Sequence, residues 1–398
     1  MLTLDNVYKA NFALKGVIRK TDLLHAPDME CSNDVYFKTE NLQITGSFKI
    51  RGAYYKISTL TKEQRSRGVI ACSAGNHAQG VALASSRNGV KSTIFIPSSA
   101  PISKVEATKR LGAEVVLVDG VYDDAYDAAC RAVEETGAVF VHPFNDEDVI
   151  AGQGTIGLEL MEEMPDLDAV VVPVGGGGLA SGVAYTVKQL NPKCKVYGVQ
   201  AEGAPSMFNW VELGAMESLD KVSTFADGIA VKCPGDLTYE LCNKYLDGVL
   251  TVTDDETAAA ILNMMEDQKL VAEGAGAVAV AAVMFDKLPI KGKKVACLVS
   301  GGNIDVTILS RVISRGLIMS GRETEITVEL VDKPGQLRDV ADIIARQGAN
   351  VVTVSHVKGG RGTDINGCYL NLSLETRNHE HLRQIRQALM DEGYVLKE

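Results

Sequence analysis

Five short segments carry residue types and spacings that could do chemistry. The string VGGGGL at 174–179 follows an apolar run and precedes a helical pattern. Its glycines, Gly175, Gly176, Gly177 and Gly178, let backbone amides approach an anion, and a helix N-terminus adds positive potential. It matches neither the Walker A loop nor the dinucleotide fingerprint, and alone it also fits a strained strand–helix turn. The string SAGNH, comprising Ser73, Ala74, Gly75, Asn76 and His77, offers a hydroxyl, an amide and free backbone N–H groups that suit a carboxylate or a phenolic oxygen. Alone it fits better a capped helix start with His77 a hydrogen-bonded bystander. SGGN at 300–303 is a third turn of this kind. TGSFK at 45–49 sets Lys49 in the first turn of an expected helix, where the dipole opposes a cation. Lys49 is therefore either a surface lysine or one with special work. AGQGT at 151–155 reads as a helix start.

The elements that must position these turns alternate. Continuously apolar runs rich in Val and Ile stand at 69–72, 92–96, 114–118, 139–142, 169–174, 195–199, 249–252 and 294–299. Helical patterns separate them, at 103–111 (opening on a capping-box pattern, Ser103 with Glu106), 123–135, 179–190, 254–268 and 305–315. Strands without polar alternation are buried on both faces, so the expected fold is α/β with open, mainly parallel sheets. In such sheets ligands bind beyond the carboxyl ends of the strands. The SAGNH, VGGGG and SGGN turns all fall there, which says more than any one of them.

After Ser320 the pattern changes. An alternating strand at 325–330, the turn DKPG at 332–335, a helix at 336–347, a strand at 350–357, a glycine-rich hairpin at 359–362, a strand at 367–375, a helix at 379–392 and a strand at 394–397 give the order β-α-β-β-α-β. That is the ferredoxin-like unit. The expected domains are residues 1–320, with a small subdomain at roughly 50–145, and residues 323–398.

Composition closes off several classes. Hydrophobic residues make up 46% and charged residues 23%, which excludes a disordered chain. The net charge of −11 leaves no basic face for nucleic acid. The longest apolar stretch, 274–285, is shorter than the ~20 residues a membrane span needs and reads as a buried helix. The N-terminus shows no secretory pattern, and eight singly scattered cysteines read as reduced thiols, so a cytoplasmic location is expected. No His/Cys/Asp/Glu group has metal-ligand spacing along the chain.

An anion cradle, a carboxylate loop and a lysine able to form a Schiff base together fit a pyridoxal phosphate site. The segments GSFKIRGA, SAGNHAQG, HPFND, AGQGTIGLE, PVGGGGLASG, ADGIAV and SGGN closely resemble the threonine ammonia-lyases of the fold-type II pyridoxal phosphate enzymes, in the right order from about residue 5 to 320. The tail resembles an ACT domain, a small amino-acid-sensing module, through VDKPGQL followed by GANV. The resemblance implies that Lys49 carries the cofactor and takes the substrate Cα proton, and that Phe48 packs beside the cofactor ring. It further implies that Asn76 bonds the cofactor 3′-oxygen, that residues 73–77 hold the substrate carboxylate, that Gly175 to Gly178 bind the phosphate, and that Ser300 faces the pyridine nitrogen. An effector would bind at the first strand–helix turn of the module (Pro334, Gly335, Gln336, Leu337) against a partner strand beginning at Asn350. A homotetramer or homodimer is expected.

Related serine racemases carry a second serine in the carboxylate loop as an acid–base group on the opposite face. Here that position is Ala74, which cannot shuttle a proton. The racemase-type divalent-cation site is also incomplete, because Glu202 matches its first carboxylate but Met207 and Phe208 stand where the other acid belongs. The expected activity is thus elimination of L-threonine to 2-oxobutanoate and ammonia, with some action on L-serine. The alternatives are a serine racemase, a serine-preferring dehydratase, or an amino-acid sensor that has lost catalysis.

Overall fold

The computed structural model describes residues 2–29, 31–358 and 366–397. Its strands in chain order are β1 (Leu23–His25), β2 (Asp34–Lys38), β3 (Val69–Cys72), β4 (Ser92–Pro97), β5 (Glu114–Val118), β6 (Val139–Phe140), β7 (Ala169–Pro173), β8 (Lys195–Ala201), β9 (Gly248–Val252), β10 (Lys294–Leu298), β11 (Glu323–Val331), β12 (Asn350–Lys358), β13 (Gly367–Glu375) and β14 (Val395–Lys397). The chain divides into two compact units, Met1–Asp305 and Val306–Glu398.

The first unit holds two sheets, ordered β1-β2-β10-β7-β8-β9 and β5-β4-β3-β6. Every pairing is parallel except β1 with β2. The apolar runs explain the arrangement. All five residues of β7 are buried, as are the first ten of the helix Gly274–Met284, which is apolar around its whole circumference. A helix with no polar face must lie inside, and no described helix is long and apolar enough to cross a membrane. β1 and β2 were not anticipated, because both are short and β2 ends in charged residues. Lys38 nevertheless lies fully buried, 2.8 Å from Glu159, so a charge at a strand end was no sign of exposure.

Two local expectations are corrected. The helix after β4 spans Ile102–Arg110 and is capped by Pro101, so Ser103 sits inside it and makes no capping box. Proline fixes a φ suited to a helix start and so sets the boundary ahead of the serine. The AGQGT segment is no helix start either. It lies within the helix Glu147–Glu163, where a Cβ on Gly152 would stand 2.5 Å from Gly52 Cα. The small residues there let this helix cross Lys49–Ser58 at backbone contact, and Gln153 Oε1 accepts from the Gly52 N–H at 3.2 Å. AGQGT thus braces the Lys49 helix from behind.

In the second unit the helix Val306–Met319 precedes the sheet β12-β13-β11-β14, antiparallel throughout. Helices Gln336–Arg346 and His379–Asp391 complete the β-α-β-β-α-β order. Alternate residues Ile326, Val328 and Leu330 of β11 and Leu370, Leu372 and Leu374 of β13 form a core with Val340, Ile344, Ile385 and Leu389 of the two helices. The expected hairpin at 359–362 lies outside the described residues.

Candidate active site

Lys49 is the first residue of the helix Lys49–Ser58, and the backbone ties its turn to the end of β10. Ser47 forms an isolated bridge with Gly301, and the Phe48 N–H donates to Ser300 O at 3.1 Å. Sequence positions some 250 apart therefore meet at one point. Lys49 Nζ donates to Pro143 O at 3.0 Å and stands 5.2 Å from the Phe48 ring centroid. Burial lowers its pKa to about 8, with Glu273 opposing the shift. At pH 7 about a tenth of such amines is neutral, against ~1 in 3,000 for a solvated lysine. An amine that can act as nucleophile and base at neutral pH is what a surface lysine does not provide.

A side-chain relay joins the polar turns. Asn303 Nδ2 donates to Thr45 O at 2.8 Å and to Asn76 Oδ1 at 2.6 Å. Asn76 Nδ2 donates to Glu273 Oε1 at 2.6 Å, and the Glu273 N–H donates to Gly301 O at 3.0 Å. One N–H of the Asn76 amide remains for a further acceptor. Ser300, almost wholly buried, donates from Oγ to Ala275 O at 3.3 Å. Ser47 Oγ is buried with no hydrogen-bond partner among the described residues.

Glu273, which borders the apolar stretch 274–285, was missed by sequence reading. It caps the helix Gly274–Met284, where a lone acid opening an otherwise apolar helix was the available signal. Burial and nearby Asp227 push its carboxyl up to about 7, against the pull of Asn76, Lys104 and Lys49.

Gly175 to Gly177 lie between β7 and the helix Gly178–Leu190, which Gly178 opens. Gly177 has φ +97°, a left-handed conformation that favours glycine. A Cβ on Gly176 would meet the Phe144 ring at 2.4 Å, and one on Gly178 would meet Phe144 Cα at 2.8 Å. The first helical bond runs from the Ser181 N–H to Gly177 O at 2.8 Å, which leaves the preceding amides without intrahelical partners at the positive end of the helix. A phosphate fits there.

The SAGNH segment caps the helix Asn76–Asn88 through Gly75, and the Gly75 N–H donates to Ser73 Oγ at 3.1 Å. Ala74 packs against the core of the smaller sheet. The His77 side chain turns away from any ligand role, bonded through Nε2 to Val141 O at 2.8 Å. Burial lowers its pKa to about 3, so it is a neutral structural donor and only its backbone can face an anion. Burial, then Lys49, likewise hold His142 down at about 4. Its free Nδ1 accepts from the Phe144 and Asn145 N–H groups at 3.2 and 2.8 Å, fixing the turn that carries Pro143.

In the second unit, Gly335, Gln336 and Leu337 line a hollow of about 100 Å³ that also borders Asp332, His356 and Cys368. Gly335 has φ +99° and caps the helix Gln336–Arg346. Pro334 precedes it but does not line the hollow. Asn350 is not brought to this turn within one chain. It begins β12, ~20 Å along the strand from His356, and its Nδ2 donates to Glu375 Oε2 at 2.9 Å.

Residues 14–301 match the family described as pyridoxal-phosphate dependent enzyme, and residues 320–397 match the ACT domain. The L-threonine ammonia-lyase of Thermotoga maritima is 51% identical over 100% of this chain and 99% of its own. The processed form of threonine deaminase isoform 2 from Solanum lycopersicum superposes with a TM-score of 0.75 at 37% identity, covering 79% of this chain and 90% of that one. The structure of maize serine racemase gives a TM-score of 0.75 at 34% identity, covering 80% and 98%. A half-buried amine of lowered pKa and a glycine cradle at a helix N-terminus are thus found on a chain that belongs to the pyridoxal-phosphate dependent enzymes and carries an ACT domain.

Proposed function

We propose that this protein is a threonine ammonia-lyase that converts L-threonine to 2-oxobutanoate and ammonia and acts more weakly on L-serine to give pyruvate. The observation that carries the chemistry is Lys49, a half-buried lysine with its pKa lowered to about 8 by desolvation at the meeting point of three polar turns. The substrate follows from the full-length likeness to the Thermotoga maritima enzyme. Lys49 would hold the cofactor covalently, Gly175 to Gly178 its phosphate, Asn76 its 3′-oxygen and Ser300 its ring nitrogen, with Phe48 beside the ring. Bound pyridoxal phosphate supplies an electron sink for the charge that develops at the substrate Cα. The Asn76–Asn88 helix start and the Ser73 hydroxyl bind and orient the substrate carboxylate. Lys49 would take the Cα proton. Ser300 is an uncharged hydroxyl, which does not hold a proton on the ring as a carboxylate would, and this favours β-elimination over transamination. The β-hydroxyl leaves as water, and one water is taken up again when the nitrogen is lost as ammonia.

The likeness to maize serine racemase favours a second reading, racemisation. Ala74 opposes it, because no hydroxyl stands at that loop position to return a proton from the other face. Incubation with L-serine, scoring pyruvate against D-serine, separates the two, and excess D-serine would overturn the lyase assignment. Ala74→Ser is expected to raise D-serine formation measurably while the protein stays folded and yellow. Background levels in that variant would contradict the assignment of faces.

The ACT domain supports regulation by an amino acid at the Pro334 to Leu337 turn, in a cytoplasmic homo-oligomer, tetramer or dimer, in which Asn350 reaches the turn of a neighbouring copy. Free amides at a helix start can receive a carboxylate there. A chain ended after Arg322 is expected to keep its colour and its threonine deamination and to lose any response to isoleucine, valine or serine. A truncated protein that still responds would move the effector site to the catalytic part.

A further inference from the structure

The hollow in the second unit gathers three side chains that the sequence keeps apart. Asp332 follows β11, His356 lies in β12 and Cys368 lies in β13, and these strands are adjacent at one end of the sheet. The Asp332 N–H donates to Asn366 O at 2.7 Å, and Cys368 pairs with Lys358 across the ladder, so backbone bonds fix all three positions. Their ligand atoms lie within 4.8 Å of one another, and all three border the same hollow. Positions 332, 356 and 368 have no metal-binding spacing along the chain, which is why sequence reading expected none.

We propose that Asp332, His356 and Cys368 form a site for a zinc-class divalent cation, with one coordination position open to the hollow. Donors on tetrahedral zinc stand ~3.3–3.6 Å apart, given bond lengths of ~2.0–2.3 Å. Closing the observed triangle therefore needs shifts of about an ångström, within reach of side-chain rotation for two exposed residues. One sulfur, one imidazole and one carboxylate suit zinc, whereas magnesium and calcium take sets of oxygens. Lys358 Nζ now sits 2.7 Å from Asp332 Oδ2 and competes for that carboxylate. The lysine side chain is 60% exposed, and such surface pairs are weak, so it yields readily to a divalent ion. Cys368 would bind as its thiolate, its proton passing to solvent as the metal binds. Because Gly335 and Leu337 line the same hollow, the metal would sit beside the helix start where a carboxylate is expected, and its open position could take an effector donor.

The test uses the full-length holoenzyme, zinc chloride in equilibrium dialysis, and cobalt chloride as a spectroscopic probe. One equivalent of zinc per chain is expected, together with a thiolate-to-cobalt absorption band in difference spectra. Cys368→Ser should abolish the band, and Cys233→Ser, at an exposed thiol elsewhere, should leave it intact. His356→Ala, at an exposed position that does not threaten folding, should weaken zinc by more than the roughly 10–100-fold that loss of an outer-shell partner brings. Absence of zinc at equivalence, a cobalt band that survives Cys368→Ser, or unchanged affinity in His356→Ala would each overturn the site.

Discussion

Lys49→Ala is expected to lower 2-oxobutanoate formation by at least ~10⁴-fold, because one side chain is assigned both the covalent hold on the cofactor and the removal of the Cα proton. The Gly175 to Gly178 cradle remains in that variant, so it should still bind cofactor loosely while losing the colour of the covalent form on dialysis. Borohydride reduction of the unaltered protein followed by peptide mapping should place the pyridoxyl label on Lys49. A label on another lysine, or substantial activity in the variant, would contradict the assignment. Lys56, two turns further along the same helix, is a useful contrast. It lies 2.7 Å from Asp146, its pKa is raised rather than lowered, and it should remain unlabelled.

Arg51→Met should destabilise the catalytic unit by about 3–5 kcal/mol, the cost typical of removing one partner from a buried ionic cluster. Arg51 is fully buried one half-turn from Lys49. Its guanidinium donates to Glu40 Oε1 and Oε2 at 2.7 and 2.8 Å and to Glu159 Oε1 and Oε2 at 2.6 and 3.0 Å. Lys38 also reaches Glu159, and Thr21 Oγ1 donates to Glu40 at 2.6 Å. Methionine fills much of the volume and leaves two carboxylates with too few donors. Thermal unfolding should fall by on the order of 10 °C. The pH dependence has a defined sign. Burial raises the Glu159 pKa, but Arg51 and Lys38 outweigh it and the net shift is downward. The cluster's contribution is therefore complete above the ordinary carboxylate range and is lost as pH falls through the lowered Glu159 value. The deficit of Arg51→Met should accordingly hold through neutral pH and narrow only as pH falls below the ordinary carboxylate range. A deficit below ~1 kcal/mol at pH 7 would show that the cluster contributes little to holding the Lys49 helix.

The parts of the fold that were legible in the sequence are those where burial leaves a continuous record. Strands β3 and β13 fall at the expected residues because a doubly buried strand, or a strictly alternating one, has few alternative readings. The turns carrying Lys49, Asn76, Gly175 to Gly178 and Ser300 were legible because glycine and small polar residues at strand ends are costly without a reason. What escaped was polar burial. Glu273, Glu40, Arg51 and Glu159 look like solvated charges in sequence, and only their pairing across distant segments makes them interior residues. His77 was open to both readings, because its place in a motif suggested a ligand contact while its ring bonds Val141 as a bystander would. The AGQGT glycines were read as a helix start because local sequence cannot reveal that another helix presses on them at Gly52.

The most direct test of the central claim is the fate of L-threonine on the purified, yellow protein. Ammonia and 2-oxobutanoate should form in equal amounts, faster than pyruvate from L-serine, with no accumulation of D-amino acid. A coloured, folded protein that produces no 2-oxobutanoate, or that converts L-serine to D-serine in excess of pyruvate, would contradict the account.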